Sequence, residues 1–197
     1  MQRAILARHG ESVFSVRGLL NGDPTVPGGL TAVGVEQARA LGEELGGEEI
    51  DLCVTTELER TVATADEALE GRDVPRLVLP ALDDPRYGRF EGARLEEYRA
   101  WAAASPSSAR PGEDGESRRE IVRRYAGAFR ELLALPGETI LVVAHSLPIA
   151  YALGARDGIP PAARVPLAAY ATPYPFTAAE LEGVVAGLER WLAAPTF

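Results

Sequence analysis

The chain contains no lysine; all 20 of its basic residues are arginine. Schiff-base chemistry, a lysine general base and the lysine-bearing phosphate loop of nucleotide hydrolases are thereby excluded. Cysteine occurs once, at Cys53 within the apolar run Ile50–Val54. No intramolecular disulfide can form, and a lone thiol in a buried strand reads as core rather than as a nucleophile. Histidine occurs only at His9 and His145, too sparse and too far apart in the chain for the short ligand spacing of a zinc site. Long apolar runs are missing. At the N-terminus Arg3 and Arg8 break a short one, so neither a signal peptide nor a membrane span is expected, and the cytoplasm is the default location. Positive charge is outweighed by 29 acidic residues, giving a formal net charge of −9. That argues against nucleic acid or an anionic membrane as partner, because both need a basic footprint. It leaves room for a small phosphorylated molecule, which needs only a local cluster of cations.

What is present is ordinary for a globular protein: 46% apolar and 25% charged residues over 197 positions, enough for one domain with a real core. Short continuous apolar runs at 3–8, 50–55 and 139–144 read as buried strands, 75–80 as a further strand bounded by Pro75 and Pro80, and 165–171 as a candidate fifth. Helical patterns separate them, starting at Thr31 as N-cap with Val35, Ala38, Leu41 and Leu45 on one face and stopping at Gly46-Gly47. Others cover about 57–70, 93–104, 117–135, a stretch from Leu147, and 178–193, whose apolar face carries Leu181, Val184, Val185, Leu188 and Trp191. That last face covers the sheet edge or makes a homodimer contact. The alternation implies an α/β fold, a three-layer sandwich with a mostly parallel central sheet between helices. No repeat or linker divides residues 1–197. The region 81–117 reads as an insertion over the sheet, ending in a mobile Ser-, Pro- and Gly-rich loop at 105–117.

Both histidines stand where a strand runs out: Arg8-His9-Gly10-Glu11 after the first, Val143-Ala144-His145 after the fourth. Carboxyl ends of strands in open α/β sheets border the ligand crevice, which suggests one shared site. The alternative is that each imidazole merely plugs a strand end. Arg8 disfavours a metal beside His9 and suits an anion, and Gly10 lets the backbone turn sharply. Arg60 lies in the first turn of a helix, where free N–H groups also favour anions, unless it simply pairs with Glu57 or Glu59. A histidine beside arginines is what phosphoryl transfer to nitrogen requires.

These residues belong to a longer series. Arg8-His9-Gly10-Glu11-Ser12, Leu30-Thr31 through Gln37-Ala38, Thr56 through Ala65, Leu82 through Gly92, Gly115-Glu116-Ser117 and Val143-Ala144-His145 follow one another in order. The chain therefore resembles the histidine phosphatase superfamily, the phosphoglycerate-mutase-like proteins, across about residues 3–150. The resemblance implies that fold and a histidine-acid-type, metal-independent phosphomonoesterase with no cofactor, acting on a small phosphate ester. In that picture His9 becomes phosphohistidine, and Arg8, Arg60 and His145 surround the transferring group. His9 must be neutral to attack, whereas His145 serves better as a cation. The family's proton donor is a glutamate; the aligned residue here is Asp84, with Asp83 an adjacent rival. Ser15 stands where an asparagine of the phosphate pocket is often found, Leu19 where an arginine is, and Ser146 where a glycine is; Asn21 is a further pocket candidate. A mutase-type phosphotransferase, or a catalytically quiet phosphate-binding module, remain alternatives. Two features stay open: Tyr98 and Trp101 could meet an apolar leaving group or pack onto the sheet, and Arg118, Arg119, Arg123 and Arg124 could steer a polyanion or form a solvated face paired with Glu116 and Glu120.

Overall fold

The computed structural model describes residues 1–197. Its sheet has the order β3-β2-β4-β1-β5, with β1 Arg3–Arg8, β2 Leu52–Thr55, β3 Arg76–Val78, β4 Thr139–Ala144 and β5 Pro173–Thr177. The first four strands are parallel and β5 runs antiparallel to β1 at the edge. Five helices flank it, α1 Ala32–Glu44, α2 Glu59–Ala68, α4 Arg118–Ala134, α5 Ser146–Arg156 and α6 Ala178–Ala193, while α3 Leu95–Ala103 packs apart in a small cluster with Leu20 and Tyr87.

Strand periodicity divides the core into two halves. Ala4, Leu6, Val54, Ile140 and Val142 turn toward α4, α5 and α6. Ile5, Ala7, Cys53, Leu141 and Val143 turn toward α1 and α2, against residues such as Leu41 and Ala65. Because both faces of β1, β2 and β4 are covered, those strands carry continuous apolar runs, whereas the edge strand β3 is exposed. Burial pushes the Cys53 thiol up to about 11, fitting a core residue. Helix starts are set by hydroxyls: Thr31 accepts from the Gly34 N–H, and Ser117 with Glu120 and Thr177 with Glu180 form reciprocal capping boxes. The apolar face of α6, including Leu188 and Trp191, is buried within the chain against α4 and α5, so it is not the homodimer contact that was the second expectation.

Two local expectations need correction. Residues 165–171 are not a strand. Pro166 cannot donate to a ladder, and the segment instead crosses the carboxyl ends of β1 and β4, with the Ala171 N–H on the Arg8 carbonyl and the Ala168 N–H on the Ser146 hydroxyl. The final strand lies later, at Pro173–Thr177, and its two prolines suit an edge position. The 105–117 loop is fastened along its length: Ser107 accepts from the Arg119 N–H, Pro111 from the Arg89 N–H, and the Glu116 N–H donates to Arg86.

Candidate active site

Strands β1 and β4 are neighbours in register Arg8↔Ala144, so His9 and His145 emerge side by side with ring centroids 5.4 Å apart. Gly10, next in the chain, has no room for a Cβ, which would sit 2.4 Å from the Gly34 carbonyl at the start of α1. Its N–H donates to Thr64 of α2. On the other side of β4, the carboxyl end of β2 leads through Thr56 into α2, whose first turn carries Arg60. Neither α2, with Leu58 as N-cap, nor α5, with His145 as N-cap, has a side-chain cap, so two positive helix ends border the histidines.

The hydrogen bonds define the protonation of His9. Its Nδ1 lies 2.7 Å from the Gly10 carbonyl, which can only accept, so Nδ1 carries the proton. Nε2 therefore keeps its lone pair and accepts from Arg60 Nε at 3.2 Å. His145 places Nε2 2.9 Å from the Thr56 hydroxyl and Nδ1 3.2 Å from an Asp84 oxygen. Burial, reinforced by Arg60 and other nearby cations, holds both imidazoles well below their usual range. Both environments favour the neutral ring in the unliganded site. Burial and Arg60 act on both rings alike, while only His145 has a carboxylate, Asp84, beside it.

Arg60 is the hub of the site. Besides His9 it reaches Asp84 at 2.6 Å, the Asn21 side-chain oxygen at 2.8 Å and the Asn21 carbonyl at 2.9 Å. Arg8 stacks over the Tyr170 ring at 3.8 Å and donates to the Ala168 carbonyl, while its buried Nε has no partner. Asp84 borders the same cavity; Asp83 does not, since its carboxylate accepts from the Glu57 N–H, and burial pushes it up to about 6. Asn21 lines the cavity with its amide committed to Arg60 and Asp23, and Ser15 lines it with its hydroxyl turned back on Ser12. The loop bearing Asp84 is held by two carboxylates. Glu91 bridges the N–H groups of Gly22 and Tyr87, and Glu116 accepts from Arg86 N–H while pairing with Arg124.

The family model of the histidine phosphatase superfamily (branch 1) matches residues 4–173. The chain belongs to the histidine phosphatase superfamily. Among its relatives, it is 33% identical over 171 residues to a 2,3-bisphosphoglycerate-dependent phosphoglycerate mutase of Methylobacterium sp. (strain 4-46), covering 79% of this chain and 80% of that protein. It is also 33% identical over 156 residues to an adenosylcobalamin/alpha-ribazole phosphatase of Salmonella typhimurium, covering 73% of each. The crystal structure of the alpha-ribazole phosphatase from Shigella flexneri superposes with a TM-score of 0.65 at 28% identity, over 80% of this chain and 81% of that one. No helix is long and apolar enough to cross a membrane.

In this member of the superfamily, donor atoms of His9, Asp84 and His145 lie within 4.8 Å of one another, a set that could hold a metal ion. Arg60, however, hydrogen-bonds to His9 and Asp84 and sits 3.4 Å from His145 Nδ1, so a cation would have to displace a guanidinium. The set suits an anion better. The cavity above it, about 220 Å³, is walled by Leu19, Tyr87, Tyr98 and Leu147. Tyr98 thus faces the cavity, whereas Trp101 stacks behind it on Phe90. Sequence reasoning missed Tyr170 and the hydroxyls of Thr56 and Thr64. Thr56, like the histidines, directly follows a strand, which was a usable signal; nothing local marks Tyr170. The arginine cluster divides. Arg124 is tied to Glu116 and to the Ala81 and Asp83 carbonyls, Arg119 and Arg123 are exposed, and Arg118 turns into the cavity.

Proposed function

We propose that the protein is a metal-independent phosphomonoesterase that hydrolyses a small phosphate ester through a phosphohistidine on His9. The observation that carries this reading is the fixed tautomer of His9: with Nδ1–H on Gly10, the unprotonated Nε2 is the nitrogen among the arginines. An arriving phosphate dianion takes over N–H donors of Arg60, fills the unpartnered Arg8 Nε and meets the open end of α5. His9 Nε2 attacks phosphorus as the ester P–O bond breaks. Charge on the equatorial oxygens is met by Arg8, Arg60 and His145, and positioning and electrostatics supply most of the rate. Asp84 protonates the leaving oxygen. Water then attacks the phosphohistidine, Asp84 accepts its proton, and inorganic phosphate leaves with His9 restored.

The names of the relatives support phosphate-ester chemistry, and one of them raises a mutase alternative. The test is phosphate release from a panel of phosphomonoesters in excess chelator, with wild type and His9→Ala side by side and phosphoglycerates included. Turnover by wild type alone, with an acid-labile phosphoenzyme, is the expected outcome. Isomerisation of phosphoglycerates without net phosphate release would replace the phosphatase by the mutase. Phosphate binding without either reaction would leave a binding module.

A further inference from the structure

We propose that Arg118 forms a second anion subsite in the same cavity, and that the substrate carries a further acidic group, a carboxylate or a second phosphate, on its leaving group. This rests on the phosphatase reading above and narrows its substrate class. Arg118 is 8% exposed, yet it makes no ion pair. It donates to the Ala163 carbonyl at 3.1 Å, its guanidinium lies beside the buried Tyr151 hydroxyl, and its guanidinium carbon is 5.8 Å from the Tyr98 ring centroid; all of these partners are uncharged. It is also the first residue of α4, where the helix dipole opposes a cation. A buried guanidinium with neutral partners but no carboxylate, at that end of a helix, keeps an uncompensated positive charge in the cavity wall, which suits a position kept for an anionic ligand.

The charge balance of the cavity points the same way. Arg8, Arg60, Arg99, Arg118 and Arg164 line it against a single carboxylate, Asp84. The ester phosphate accounts for Arg8 and Arg60. Arg99 and Arg164 share Glu96, which leaves Arg118 without a counter-charge. Tyr98, 5.8 Å from Arg118, stands edge to face with Tyr87 at 5.0 Å, and both line the cavity with Leu19 and Leu95. The cavity thus offers an anion site, an apolar wall and a second anion site.

The test compares matched esters: 4-carboxyphenyl phosphate, its neutral twin 4-carbamoylphenyl phosphate, and 1,4-phenylene bisphosphate as the phosphate arm. Wild type should prefer the charged members in kcat/KM by about ten- to hundredfold, the range of a charge-assisted hydrogen bond. The ratio should fall to near one in Arg118→Gln, with the neutral ester as internal reference, and the variant should melt no lower than wild type. Whichever acid keeps the larger ratio identifies the group. A wild-type ratio near one, or an Arg118→Gln enzyme that loses both esters equally, overturns the subsite. If wild type hydrolyses none of them, the phosphatase reading fails. The subsite is then decided by calorimetric affinity for the charged and neutral esters, and equal affinities overturn it.

Discussion

The neutral state of both buried histidines has a measurable consequence for stability. In the folded chain His9 and His145 are held well below the usual imidazole range by burial and by Arg60, whereas in the unfolded chain each takes up a proton near pH 6.5. The unfolded state therefore binds more protons. Their contribution to stability is fully present above about pH 6.5 and is lost as pH falls below it. Each ring accounts for about 1.4 kcal/mol between pH 7.5 and 5.5, or about 2.7 kcal/mol for the pair. Asp83 opposes them. Raised to about 6, it keeps a proton that the unfolded carboxylate has released, so acidification over the same interval favours the fold. Because that carboxyl is only half-buried, we discount its effect to about 0.5 kcal/mol. The net expectation is a loss of about 2 kcal/mol. Urea unfolding at the two pH values, in phosphate-free buffer, measures it, with a His9→Asn, His145→Asn double variant as reference. That variant should lose less than wild type by the histidine share, and saturating phosphate should flatten the wild-type slope by favouring imidazolium. Identical pH dependence in wild type and double variant would refute neutral histidines in the folded site.

Other outcomes follow from single contacts. Asp84→Asn keeps the partner of Arg60 but removes the proton carrier; with 4-nitrophenyl phosphate it should give a burst of about one nitrophenolate per site followed by slow turnover, while alkyl phosphates lose about 10²-fold or more. Equal loss on both leaving groups in rapid-quench kinetics would remove Asp84 from that role. Asp83→Asn, relieved of an ionised carboxylate at neutral pH, should gain about 0.5–1 kcal/mol near pH 7.5 and nothing near pH 4 in the same urea titration. Gly22→Ala would place a Cβ 1.9 Å from the Pro85 carbonyl, next to Asp84; it should cost about 1–3 kcal/mol and lower kcat more than it raises KM. An unchanged melting temperature would mean that the loop yields freely.

The parts of the fold and cavity that were legible in the sequence are those set by local pattern. His9 and His145 each end a continuous apolar run, and parallel pairing of those two runs is enough to bring the rings together. Arg60 was legible because a strand end, a short turn and a helix start place it within a few residues of Thr56. Asp84 came from the order of motifs, and its distinction from Asp83 came only from the coordinates, where Glu57 holds one carboxylate and Arg60 the other. The segment 165–171 misled because apolar content alone does not separate a strand from a covering loop. Pro166 was the sign that it could not continue a ladder. Tyr170 and its stacking on Arg8 depend on where that segment lands, which no local signal encodes.

The arginine cluster shows how periodicity separates what charge counting merges. Residues three, four and seven positions apart share a helix face. Position 118 therefore falls on the stripe of Ile121, Val122 and Tyr125, all fully buried, whereas Arg119 and Arg123 are four apart on the opposite, exposed face. A guanidinium on the core stripe has to reach an acceptor or a cavity. Arg124 reaches Glu116 and loop carbonyls, but Arg118 has one carbonyl, the Tyr151 hydroxyl and the cavity wall, none of them charged. A buried arginine facing an aromatic ring, with no acid beside it, is therefore better explained by a ligand than by folding, and the matched esters read that difference directly.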